Sequence, residues 1–156
     1  MSILALAFLI GVVAGLRAMT APAAVSWGAA HGWLHLKGTW LAFLGFHWTP
    51  YVFIVLALVE LVTDQLPKTP SRKVPQQFGA RIVMGALCGA AIGASGGSWV
   101  GGLVVGAVGA VVGTLGGAEF RGRLARAVGS DRPIAFLEDA IAIGAAIWIA
   151  ASVVGA

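Results

Sequence analysis

Residues 51–68 read YVFIVLALVELVTDQLPK, and the fold turns on how this stretch is understood. An apolar run carries two acids, Glu60 and Asp64, and then breaks at Pro67 beside the basic Lys68. One helical turn separates the acids, so a helix would show both on one face. Acids inside so apolar a segment are costly in lipid unless they are paired or face water.

The whole chain has the same character. Of its 156 residues 59% are hydrophobic and 10% charged, with a mean hydropathy of +0.93. Soluble domains are about 25% charged. A soluble fold of this length would have to hide several long apolar runs at once, whereas lipid is a solvent for them. The 23 glycines fit membrane helices. The expected class is therefore all-α: a polytopic transmembrane helical bundle of five to six segments, forming one membrane domain over residues 1–156. The net charge of +4 sits largely in short loops, where it reads as topology rather than as a nucleic-acid surface.

Working outward from residue 51, the preceding stretch 31–50, HGWLHLKGTWLAFLGFHWTP, has the composition of a membrane interface, with Trp33, Trp40 and Trp48 as a belt. Before it, residues 3–16 are apolar and lack a basic leader, so they are expected to be a retained membrane segment rather than a signal peptide. Arg17 to Pro22 interrupts the pattern, with Thr20 as a candidate N-cap. Residues 3–34 are either two short helices or one kinked helix with Arg17 in the membrane.

After residue 68, the loop 67–77 holds three prolines and three basic residues. Helices are expected over 79–95 and 99–118. Gly85, Gly89 and Gly93 form one stripe, and Gly102, Gly106, Gly109, Gly113 and Gly116 another. Such stripes let helices approach closely, as glycine-zipper packing within a pair or at a subunit interface. Residues 119–132, EFRGRLARAVGSDR, are expected to be a basic loop with a short helix. Pro133 then opens a last helix, capped near Ser130 or Asp131 and carrying Glu138 and Asp139.

Both basic loops, 67–77 and 119–132, belong on the cytoplasmic side of a bacterial inner membrane. Two helices lie between them, so the chain does return to that side. Glu60 then lies about 9 Å from the inner end of its helix, and Glu138 at a similar depth. Glu60, Asp64, Glu138 and Asp139, with Arg17, Arg81 and Lys68, are the expected ion- or solute-binding residues. Cys88 stands alone, so no intrachain disulfide forms. His31 and His35 share a helical spacing but do not complete a metal site. A metal partner is left open, and no cofactor is expected.

Three stretches carry a family resemblance: AGLRAMTAPAAVSW, ELVTDQLPKTPSR and FLEDAIAIG. Together they resemble an uncharacterised bacterial membrane-protein family, the domain-of-unknown-function family numbered four-one-two-six. The likeness covers nearly the whole chain. It implies Glu60, Asp64, Glu138 and Asp139 as marked positions and implies no activity. Where the family pattern frequently has a Lys after the Asp, this chain has Gln65, and Lys68 stands across the proline. Residues 9–15 also resemble residues 83–89. Halves 1–78 and 79–156 would then run in opposite directions, a 3+3 inverted repeat, although the acids of both halves fall on one side.

The function expected from these features is transport or channelling of a small ion or polar solute through the acidic group. The alternative is a structural or lipid-associated membrane partner. So small a chain is expected to form a homo-oligomer. No nucleophile elbow, zinc motif or P-loop is present, and an enzyme is not expected. Reporter fusions after Gln77 and after Gly129 test the topology: both should read cytoplasmic, and an exported reporter at either site would break the even count of crossings between them.

Overall fold

The computed structural model describes residues 1–66, 71 and 73–156, and the regular elements among them are all helical. In chain order they are α1 (Ile3–Leu16), α2 (Thr20–Ala30), a 3-10 turn (Trp40–Gly45), α3 (Thr49–Thr63), α4 (Pro75–Ser95), α5 (Trp99–Val128) and α6 (Arg132–Ser152). Among the described residues, three helices are long and apolar enough to cross a membrane: α4, α5, and α6 with the short turn that follows it. Helices α1 and α3 are apolar but only 14 and 15 residues long.

The core is a triangle of α1, α4 and α5. Glycine makes it possible. A Cβ on Gly89 or Gly102 would overlap the backbone of the other helix of the α4–α5 pair, and a Cβ on Gly106 would overlap Gly85. One turn further round α5, Gly109 and Gly113 face α1, where a Cβ would strike the backbone of Phe8 and Val12. The expected single stripe on α5 thus serves two neighbours within the chain. Gly116 lies beyond it and meets nothing. On the opposite side of α5, Val104, Val108, Val112 and Leu115 are exposed. A helix with a small-residue face inward and an apolar face outward suits lipid rather than water.

These contacts also fix directions. Ile3 lies against Gly96, and Gly15 lies against Ala110 and Gly113, so α1 runs alongside α5 in the same sense. After the break at Arg17, α2 returns: beyond its end, the backbone N–H of His35 donates to Ser95 Oγ at 3.2 Å. Residues 3–30 are therefore two short helices forming a hairpin, not one kinked helix. Its arms start and finish level with the α4–α5 turn, which Gly97 makes at φ +79°. The two halves of the chain pair differently. Helices α4 and α5 share an extensive contact, whereas α1 and α2 share a small one.

Several boundaries differ from expectation, for local reasons. Pro75 opens α4 rather than ending a loop, because a proline in the first turn forfeits no helical hydrogen bond. The basic segment after residue 118 is not a loop: α5 continues through it to Val128 and stops at Gly129, whose φ of +75° is left-handed. The arginines there favour helix, and only the apolar face ends near residue 118. Residues 31–48 fold back as a cap, burying Leu34, Leu36, Leu41 and Leu44 while Trp40 and Trp48 stay exposed.

Gly106→Ala should lower the thermal midpoint in detergent clearly, since overpacking costs about 1–3 kcal/mol. Gly116→Ala, in open space, should leave it unchanged or raise it. Equal effects would contradict the close approach of α1, α4 and α5.

Candidate functional site

The hairpin's broken end carries the chemistry. A helix leaves its last carbonyls and first N–H groups without internal partners, and in an apolar setting each must find one. The last turn of α1 offers the carbonyls of Gly15 and Leu16. Arg81, on α4, donates Nη1 to both, at 3.0 and 2.6 Å. Thr114, on α5, shares its hydroxyl proton between Gly15 O (3.2 Å) and Ala110 O (2.8 Å).

The start of α2 is capped from α3. Glu60 accepts from the backbone N–H of Ala18 through Oε1 (2.8 Å) and of Met19 through Oε2 (2.9 Å). A carboxylate there also meets the positive end of the helix dipole. Thr20, the expected N-cap, is instead the first helical residue, and its hydroxyl makes no cap bond. Glu60 Oε1 lies 3.6 Å from Arg81 Nη2, so the two cap residues also pair with each other.

Arg17 fills the gap between the two helices. It is fully buried, with Nη1 on Asp64 of the α3 terminus and Nη2 on Asp139 of α6. Charges this deep cost several kcal/mol each to desolvate, and only close opposite charge offsets that. Five side chains from four segments thus form one group: Arg17, Arg81, Glu60, Asp64 and Asp139. Among the described residues and with all ionised, two positive and three negative charges leave one negative in excess. Arg17 Nε and Gln65 Nε2 are buried without a hydrogen-bond partner among the described residues.

One expected site residue stands elsewhere. Glu138 turns toward α5 rather than joining Arg17, with Oε2 3.5 Å from Arg121 Nη1. Adjacent helical positions point about 100° apart, so Glu138 and Asp139 serve different neighbours. Lys68 lies outside the described residues. The sequence reading missed Arg121, which also holds Asp131 through two bonds of 2.8 and 2.5 Å. Its signal was present: the arginine spacing of 119–132 continues a helix that ends at a glycine. It also missed Thr114, a lone hydroxyl inside a glycine stripe. Among the described residues, no group of three or more His, Cys, Asp or Glu could hold a metal ion.

The fold and this group define a class: a protein whose described residues form helices alone, three of them long and apolar enough to span a membrane, with an ion-pair group at the tip of a helical hairpin. Searches for a matching protein-family model, curated protein or solved structure find none.

Removing the cap tests its weight. Glu60→Ala should destabilise the protein by about 3 kcal/mol, given that hydrogen bonds to charged groups are each worth about 1.5–3. Glu119→Ala, an exposed partner of Arg123, should leave the unfolding midpoint in detergent where it is.

Proposed function

We propose that the protein moves a proton or another small cation across a bacterial inner membrane, with the Arg17 group as the site it passes. The observation that carries this reading is the meeting, among the described residues, of three acids and two arginines at a helix break. Acids within a membrane are expected to be functional by default, and broken helices supply such sites in transporters. A site for anions at the N-terminus of α2 is already occupied by the Glu60 carboxylate, which favours cations.

Depth supports the same reading. Thr114 is 16 residues beyond Ser98, about 24 Å along α5 at 1.5 Å per residue. Hydrocarbon is about 30 Å thick, so the group falls short of the inner face. In this arrangement the hairpin arms, α3, α4, α5 and α6 make six segments of alternating direction, with both basic stretches cytoplasmic. The alternation is that of an inverted 3+3 plan, though the halves pack differently. A homo-oligomer would cover the outward apolar face of α3. Of the positions that the resemblance to family four-one-two-six marks, Glu60, Asp64 and Asp139 belong to the group and Glu138 does not.

One observation favours the alternative, a structural or lipid-associated partner without transport. Each acid of the group has a protein partner, so the group also serves as a staple. Flux separates the two. Liposomes holding the purified protein and a trapped pH-sensitive dye should acidify when a potassium diffusion potential is imposed. Asp64→Asn and Asp139→Asn should each cut the rate at least tenfold, and Glu138→Gln much less. Undiminished flux in both aspartate variants, or none in the unaltered protein under any cation gradient, would favour the structural role.

A further inference from the structure

The outward face of α5 changes character along its length. Val104, Val108, Val112 and Leu115 are exposed on it. The same spacing of three and four residues continues through Glu119, Arg123 and Arg126, which are also exposed, so the apolar and the charged residues share one face. The helix is unbroken between them.

Depth matches this change. From Ser98, Leu115 lies about 26 Å along α5 and Arg123 about 38 Å, at 1.5 Å per residue. Hydrocarbon is about 30 Å thick, and the headgroup layers bring a bilayer to about 40–45 Å. The step from Leu115 to Glu119 therefore falls where acyl chain gives way to headgroup. Arg126 reaches back toward that level: its Nη1 lies 3.5 Å from where a Cβ on Gly122 would stand.

A third cation comes from α4. Gly85 faces Gly106, and Gly89 faces Gly102. Carried back to Lys73, this register meets α5 near Ala118. Arg123 Nε bonds Glu119 Oε1 at 2.8 Å, and Arg126 and Lys73 act on the same carboxylate through their charges. Among the described residues, three cations around one carboxylate leave a positive excess here. The chain's other acids stand in the Arg17 group or beside Arg121. An exposed ion pair such as Arg123–Glu119 is worth little, so Arg123 can exchange its partner for a better anion. Arginine meets a phosphate with two N–H donors at once.

We propose that Lys73, Arg123 and Arg126 bind the phosphate of an anionic phospholipid, with an acyl chain lying along Leu115, Val112 and Val108. Continuity with the apolar stripe selects a lipid over a free phosphate. The site does not depend on transport.

The test is native mass spectrometry of the full chain from dodecylmaltoside micelles, titrated with phosphatidylglycerol or with phosphatidylcholine of the same acyl chains. Phosphatidylglycerol should bind at least fivefold more tightly. Arg123→Gln with Arg126→Gln should weaken its binding at least tenfold and remove the preference, since each basic residue near anionic lipid is worth about fivefold. Glu119→Gln, which removes the competing carboxylate, should strengthen binding about two- to fivefold. Arg132→Gln removes an equal exposed charge at the same end, on α6, and should change affinity less than twofold. If the double variant fails to fold, Arg126→Gln decides alone. Equal affinity for the two lipids, a loss in Arg132→Gln as large as in Arg126→Gln, weakening by Glu119→Gln, or displacement of the lipid by an equimolar amount of glycerophosphate would overturn the assignment.

Discussion

Arg17 is the constraint on which the rest depends. It sits where a helix stops inside an apolar body, and it is fully buried. Asp64 and Asp139 answer it from two other helices. Because both are needed at one point, the end of α3 and the second turn of α6 are tied to the hairpin tip. Arg81 and Glu60 complete the tie by satisfying the two open helix ends. The broken backbone and the charged group therefore explain each other. Without the charges the free carbonyls and N–H groups would be unsatisfied, and without the break the charges would have no cavity to share.

Packing elsewhere prepares this point. The glycines of α4 and α5 bring two backbones together, and α1 lies in the groove beside them. That close approach puts Arg81 and Thr114 within reach of the last carbonyls of α1. Helix α3 is different: about half of its residues are exposed, the rest are half-buried and only Pro50 is buried. It is held chiefly by α2 and by its acids. The element bearing two of the three acids is thus the least packed, which is the arrangement expected of a part that can shift when a charge in the group changes.

Much of this was legible in the sequence. The apolar runs, the glycine spacing and Pro133 marked the long helices, because each depends on local pattern. The convergence of Glu60, Asp64, Asp139, Arg17 and Arg81 followed from depth alone, since acids near helix ends on one side must lie at one level. Depth does not give azimuth, and Glu138 was assigned to the group for that reason. Only the rotation of α6 decides that Asp139 faces Arg17 while Glu138 faces Arg121. The cap by Glu60 was not legible either. It is a contact over some forty residues, and Thr20 offered a local cap that the tertiary partner displaced.

A double-mutant cycle between Arg17→Met and Asp139→Leu, read from reversible unfolding in mixed micelles, tests the central claim most directly. Each single change should destabilise strongly, because it leaves a buried charge unanswered. The pair together should recover about 2 kcal/mol or more of the summed loss, as residues in direct contact do. Losses that simply add, within about 0.5 kcal/mol, would mean that the two side chains do not meet, and the tie between hairpin tip and α6 would be lost.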